Sequence, residues 1–358
     1  MDFFSSNYTA AARLFMQAVD AAGPQRAECY GHPLRGPADE ALSTEVTVFG
    51  SEFARRAVVV ASGTHGVEGL AGSGIQTGLL RENVRAGGRN DTALVLVHAI
   101  NPWGFAHSRR SDHENIDCNR NFVDFGGKLP VNEAYERLHE HLVPSEWTPR
   151  SLHAAQRGLE GFIQAHGMAA FLKAVSGGQY RRPDGLFYGG GAPSWSRLTW
   201  SEIVRRELER FEEVVLIDLH TGLGPPGYGE IMYLGSPGPG HERARDLFGD
   251  VTCLETGEAI SANVGGHLGG ALVSALPHAV CTPVALEFGT RPAMEVLRAL
   301  QLDAWVYAHA AADETARARA ALSMQRVFYS FSVRWRRSIW RRAASVVRQA
   351  IGTDSEGG

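Results

Sequence analysis

Four short segments, far apart in the chain, hold residues whose types and spacing suit hydrolytic chemistry at a metal ion. They are residues 62–69 (Ser-Gly-Thr-His-Gly-Val-Glu-Gly), 117–122 (Asp-Cys-Asn-Arg-Asn-Phe), 218–221 (Asp-Leu-His-Thr) and 286–289 (Leu-Glu-Phe-Gly). Two histidines and a carboxylate are the ligand set of a catalytic zinc site, which keeps its fourth position for water. His65, Glu68 and His220 can supply that set. A separate glutamate, Glu287, stands at the end of an apolar run, where a carboxylate is costly without a partner or a task. General-base catalysis is such a task.

The second segment follows Arg109-Arg110 closely. Asp117 suits the second ring nitrogen of a ligating histidine. Arg110 can stabilise an oxyanion, and Asn119 with Arg120 can hold a substrate carboxylate, because a guanidinium fork matches a carboxylate bidentately. Each segment alone has a plainer explanation: a glycine-rich turn with a chance histidine, a satisfied histidine at a strand end, a polar loop, a salt-bridged glutamate. Their joint occurrence favours the metal site.

These residues need a scaffold that brings distant segments together. Residues 46–49, 57–61, 93–99, 214–219, 231–234 and 280–288 read as strands, most of them apolar enough to be buried on both faces. Helical spacing covers 8–22, 73–82, most of 133–175 with breaks at Pro144 and Pro149, a stretch near 196–210, and 292–321. A glycine-rich loop occupies 184–194. Strands alternating with helices predict an α/β fold, a single large domain with a mixed, mostly parallel central sheet flanked by helices. His65, His220 and Glu287 each fall at or just past the C-terminal end of a strand, where open α/β sheets place their binding crevice. Small Gly66 and Gly69 are expected to permit the turn that aims His65 and Glu68 at one point.

The bulk numbers set limits. The 358 residues are 44% hydrophobic, enough for a large core, and the net charge of −4 argues against a dedicated nucleic-acid partner. Four cysteines without a C-x-x-C pair suit a reducing compartment. The first residues lack a basic start followed by an apolar run, so no signal peptide is expected. No apolar stretch of about 18 residues predicts a membrane span. The expectation is a cytoplasmic protein. There is no G-x-G-x-x-G near residues 66–74 and no G-x-S-x-G, which lowers nucleotide binding and serine hydrolysis as readings.

At these motifs the chain resembles the zinc carboxypeptidase superfamily, which includes succinylglutamate desuccinylase and aspartoacylase, and within it the DUF2817 branch. The motifs 62–69, 101–105 (Asn-Pro-Trp-Gly-Phe), 119–122, 218–224, 286–289 and 185–190 carry the resemblance, over roughly residues 1–320. It implies a zinc-carboxypeptidase-like fold and one zinc per chain, held by His65, Glu68 and His220. It implies Glu287 as general base and Arg110, or its neighbour Arg109, at the scissile carbonyl. Asn119 and Arg120 would bind the substrate carboxylate, with Arg109 as a further substrate-binding candidate, and Asp117 would support His65. Carboxypeptidases also carry a tyrosine on a mobile loop before the glutamate. Residues 250–286 contain none, which tells against classical C-terminal exopeptidase specificity. His267, in the glycine-rich 265–270 loop, is a substrate-contact candidate there. The implied activity is zinc-dependent hydrolysis of an amide in a small molecule or peptide bearing a carboxylate. The alternatives are an N-acyl amino acid deacylase and a zinc-binding protein without catalysis.

The chain is therefore divided into a hydrolase domain (1–320), a basic amphipathic helical segment (321–352) and a disordered end (353–358). Two readings of the basic segment compete. A helix packed on the domain with a solvated arginine face is favoured over contact with an anionic membrane surface.

Overall fold

The computed structural model describes residues 2–84, 91–256, 259 and 265–352; the expected disordered end lies outside them. Eight strands form one sheet: β1 (Arg26–Gly31), β2 (Ser43–Phe49), β3 (Arg56–Ala61), β4 (Thr92–His98), β5 (Glu213–Gly222), β6 (Gly229–Tyr233), β7 (Thr252–Cys253) and β8 (Val280–Gly289). Their order is β1-β2-β4-β3-β5-β8-β6-β7. The central strands β4, β3, β5 and β8 are parallel, while β1, β2 and β6 join antiparallel to their inner neighbours. The sheet is the mixed, mostly parallel one expected from the sequence.

The central strands are buried on both faces, so their sequences are unbroken apolar runs. Alternation along each strand divides them between two cores. Val58, Val60, Leu94, Leu96, Val215, Ile217, Leu219, Leu286 and Phe288 point to one side, where the helices Tyr8–Ala22, Gly69–Arg81 and Val333–Ile351 pack. Val59, Ala61, Val95, Val97, Val214 and Leu216 point to the other. By the same period of two, Asp218, His220 and Glu287 belong to that second face. In the parallel pairing of β5 with β8, His220 stands directly beside Glu287. Sheet register alone therefore makes a candidate ligand and the candidate base neighbours.

Sequence reasoning missed β1 and β7. β1 is a largely exposed edge strand, Arg-Ala-Glu-Cys-Tyr-Gly, with little apolar periodicity to reveal it. β7 has two residues. The helix expected at 73–82 starts earlier, at Gly69, and the stretch near 196–210 is a helix over Trp195–Ile203 followed by a wider turn over Val204–Leu208.

The basic segment is continuous with the domain core. Its second helix, Val333–Ile351, buries Trp335, Ile339, Ala343, Val346, Val347, Ala350 and Ile351 in the same cluster as the sheet residues. Arg56 of β3 donates to the carbonyl of Ala350, and the Trp335 indole donates to the carbonyl of Gly289 at the end of β8. The apolar stripe that makes this stretch amphipathic is used inside the protein.

Candidate metal centre

His65 leaves β3 through a turn that ends in the helix Gly69–Arg81. Gly63 takes a left-handed conformation there (φ +63°), and a Cβ on it would lie 2.7 Å from that of Ala99. Gly66 and Gly69 serve a different purpose from the one expected. Neither has a positive φ. A Cβ on Gly66 would lie 2.1 Å from the carbonyl carbon of Gly104, and one on Gly69 would strike the Phe105 ring. They let two backbones touch. That contact also carries hydrogen bonds from Gly66 N to Arg110 O and from Val67 N to Arg109 O, so the ligand turn and the arginine segment are fixed to each other.

Three side-chain donors converge. His65 Nδ1 lies 3.1 Å from Glu68 Oε1, and His220 Nδ1 lies 3.1 Å from Glu68 Oε2 and 3.2 Å from His65 Nδ1. A tetrahedral zinc with bonds of about 2.0–2.2 Å separates its donors by about 3.3 Å, so this group fits such an ion. It is the only group of three or more histidine, cysteine or acidic side chains among the described residues with metal-binding spacing. All three residues are buried.

The surrounding charges fit a cation too. His220 Nε2 lies 2.7 Å from Asp218 Oδ2, whose other oxygen accepts from the Thr64 hydroxyl. Burial disfavours a charged His220, but Asp218 and Glu68 outweigh it and raise its pKa well above the ordinary value. Burial also works against ionised Glu68, and His65 and His220 overcome it, holding the carboxyl well below its usual range. These carboxylates call for positive charge at the point where the three donors meet. Asp218 was missed as a supporting residue, although its i, i+2 spacing to His220 on a strand places both on one face.

Asp117 sits where a second partner of His65 is expected, with Oδ1 3.3 Å from Nε2. Arg110 is nearer, its Nη2 at 2.8 Å from the same nitrogen, its Nη1 at 3.1 Å from Glu68 Oε1 and its Nε at 3.0 Å from Asp117 Oδ2. A histidine that ligates through Nδ1 carries its proton on Nε2, which selects Asp117 as the acceptor and leaves Arg110 free to turn to another oxygen.

Arg109 is not brought to this group. Its fork is engaged by Asp303, with Nε and Nη2 both at 2.9 Å, and by Asn115. The substrate-binding expectation for Arg109 is corrected on that ground: its donors already have buried partners. Of the two neighbouring arginines, the structure turns Arg110 toward His65 and Glu68.

Asn119 and Arg120 lie beside the group. The Asn119 oxygen accepts from Leu268 N, and its amide nitrogen faces His220 at 3.4 Å. Arg120 donates from its two terminal nitrogens to the carbonyls of Asn119 and Ser176. Its buried Nε has no partner among the described residues. The Phe187 ring, from a backbone with φ +53°, lies 5.1 Å from the Arg110 guanidinium carbon and 5.5 Å from that of Arg120. Phe187 was also missed, and only its place in the 185–190 motif marked it. His267 caps the helix Leu268–Ala275 by accepting from Gly270 N. Burial, and then the Arg120 charge, push its pKa down to about 4.

Glu287 is buried, and its Oε1 accepts from Leu223 N at 3.0 Å. Burial and then the neighbouring Glu68 charge push its pKa up to about 7, against opposing pulls from His220, Leu223 and Arg110.

The model of the family described as "Protein of unknown function (DUF2817)" matches residues 4–342. No curated protein matches the chain. Among solved structures, it is similar to bovine thrombin-activatable fibrinolysis inhibitor in complex with tick carboxypeptidase inhibitor, at 11% identity and a TM-score of 0.45, covering 90% of this chain and 96% of that one. It is similar to carboxypeptidase A from Helicoverpa armigera, at 11% identity and a TM-score of 0.47, covering 88% and 73%. It is also similar to an aspartoacylase family protein from Mesorhizobium loti, at 14% identity and a TM-score of 0.37, covering 78% and 66%.

Proposed function

The chain belongs to the DUF2817 family, and we propose that it is a zinc-dependent hydrolase acting on an amide bond in a substrate that bears a carboxylate. The observation that carries this reading is the convergence of His65, Glu68 and His220 within 3.1–3.2 Å, with Glu287 registered beside His220 on the next strand.

His65, Glu68 and His220 would hold the ion through Nδ1, a carboxylate oxygen and Nδ1. Zinc bound there supplies Lewis acidity and lowers the pKa of a coordinated water toward about 7. Glu287 takes the proton as water attacks the amide carbonyl, then returns it to the departing amine. Arg110 donates to the carbonyl oxygen as negative charge develops there, the kind of contact whose loss costs about 100- to 1000-fold in turnover. Asn119 and Arg120, beside the group, would hold the substrate carboxylate. Asp117 and Asp218 orient the two imidazoles from behind.

The test has two stages. Elemental analysis of the purified chain should give near one zinc per chain, and His220→Ala should lose it; no zinc after exposure to the ion at neutral pH would end this reading. A panel of N-acyl amino acids and of peptides with free or amidated C-termini then tests catalysis. Turnover dependent on a free substrate carboxylate supports the assignment. A zinc-loaded chain inert on the whole panel points to binding without catalysis.

A further inference from the structure

Residues 315–352 contain nine arginines and no acidic residue, in a chain whose net charge is −4. The metal centre uses none of them. The helix Val333–Ile351, about 28 Å long, turns its apolar side into the core and leaves Arg334, Arg337, Arg341 and Arg348 exposed at i, i+3, i+7 and i+14. That spacing is a single outward stripe. Arg334, Arg337 and Arg341 make no ion pair among the described residues.

Among the described residues, nothing pairs the charges of Arg334, Arg337 and Arg341. Like charges three or four apart weaken a helix. Cations in a first turn oppose the helix dipole, yet Arg334 and Arg336 stand there with no acid among them. An ordinary solvated face mixes both signs. At the N-terminal end of the stripe, the corner before the helix presents Phe331, 54% exposed, and Val333, 62% exposed. Arg336 stacks against Phe331 and Tyr329 and stiffens this corner. Two protruding apolar side chains beside an unmixed cationic stripe match a bilayer surface: headgroup phosphates for the arginines, the headgroup–acyl boundary for Phe331 and Val333. A nucleic-acid groove has no comparable use for the aliphatic Val333.

We propose that the outer face of the helix Val333–Ile351, with the Phe331–Val333 corner, docks on a membrane surface rich in anionic lipid. The docking is peripheral, because the helix stays packed in the core and no described helix is long and apolar enough to cross a membrane. The corner is tied to the metal centre. The Phe328 carbonyl accepts from the hydroxyl of Thr221, next to His220, and Ser338 on the helix donates to Gly227 in the loop that follows β5. Docking therefore holds the C-terminal end of the central sheet near the lipid.

Vesicle sedimentation of the full chain tests this, using phosphatidylcholine alone and phosphatidylcholine mixed with phosphatidylglycerol. The chain should bind the mixed vesicles, release with added salt and ignore the neutral ones. Arg334→Glu with Arg337→Glu and Arg341→Glu should lower partitioning about 100-fold or more. Phe331→Ser with Val333→Ser should lower it about tenfold. These positions are exposed, and unchanged melting with unchanged zinc content would show that the variants fold. No binding to the anionic vesicles overturns the proposal, as does binding that survives the charge reversal. Vesicle binding unaffected by the Phe331 and Val333 changes, together with equal capture by heparin, would make the stripe a general polyanion site and overturn the lipid assignment.

Discussion

The carboxylate of Asp218 lies 2.7 Å from Nε2 of His220, two residues further along the same strand. This contact fixes which ring nitrogen faces the candidate metal position: Nε2–H donates to Asp218, and Nδ1, turned toward His65 and Glu68, would offer its lone pair to an ion bound there. Thr64 holds the other Asp218 oxygen at 2.7 Å, so the carboxylate cannot rotate away without breaking a buried hydrogen bond. Asp218→Asn should therefore weaken zinc affinity by about 10- to 100-fold while leaving all three donors in place. Competition with a chromophoric chelator measures this directly. An affinity equal to that of the unaltered chain would remove Asp218 from the site.

Glu287 tests catalysis apart from metal binding. Its position follows from sheet register, and its Oε1 accepts a hydrogen bond from Leu223 N. Glu287→Gln keeps shape and the ability to accept that bond but cannot take a proton. It should retain zinc and its melting temperature, and lose hydrolysis of any substrate the panel identifies by at least about 100-fold. Undiminished turnover would mean that another group is the base.

Much of this site was legible because apolar runs are followed closely by His65, His220 and Glu287, and a polar or charged group at such a place stands out in sequence. The strands themselves were legible for the same reason. What escaped depends on approach between distant residues. Arg109 and Arg110 are indistinguishable as letters; Asp303, 194 positions away, claims Arg109, and the Asp117–Glu68 pair claims Arg110. Phe187 gave no signal beyond its place in the 185–190 motif, because its stacking on Arg110 and Arg120 is a contact between residues distant in sequence. Edge strand β1 hid behind its polar composition. The basic segment showed its amphipathic pattern plainly, but the pattern alone does not say whether the apolar stripe meets the protein or a lipid.

Gly66 shows how the two motifs around the ligands depend on each other. A methyl group there would lie 2.1 Å from the backbone of Gly104 and 2.3 Å from the nitrogen of Phe105, and neither can yield as a flexible side chain would. Gly66→Ala should separate the 62–69 turn from the 101–110 segment, costing roughly 3 kcal/mol. Zinc affinity should fall with it, because His65 and Arg110 ride on the two separated pieces. Thermal melting and chelator competition on one sample report both effects. A stable variant with full affinity would show that the close approach is dispensable.

His98, which is not one of the candidate ligands, predicts the acid response of the fold. It is fully enclosed at the end of β4, stacked on Phe15 with ring centres 4.3 Å apart, and bonded through Nε2 to Ser73 at 2.8 Å. Burial lowers its pKa from 6.5 to about 4. Above about pH 6.5 the ring is neutral in both folded and unfolded chains, and its contribution is fully present. Between 6.5 and 4 the unfolded chain takes up the proton and the folded one does not, so stability falls with pH. Below about 4 both are charged and the loss levels off. The shift corresponds to roughly 3 kcal/mol across that window. His98→Gln should cost stability at neutral pH through lost packing, yet melt with a shallower pH dependence between 6.5 and 4. The candidate metal centre has the same residues in both proteins, so the comparison isolates the His98 contribution. Parallel melting curves across the window would assign the acid response to other groups.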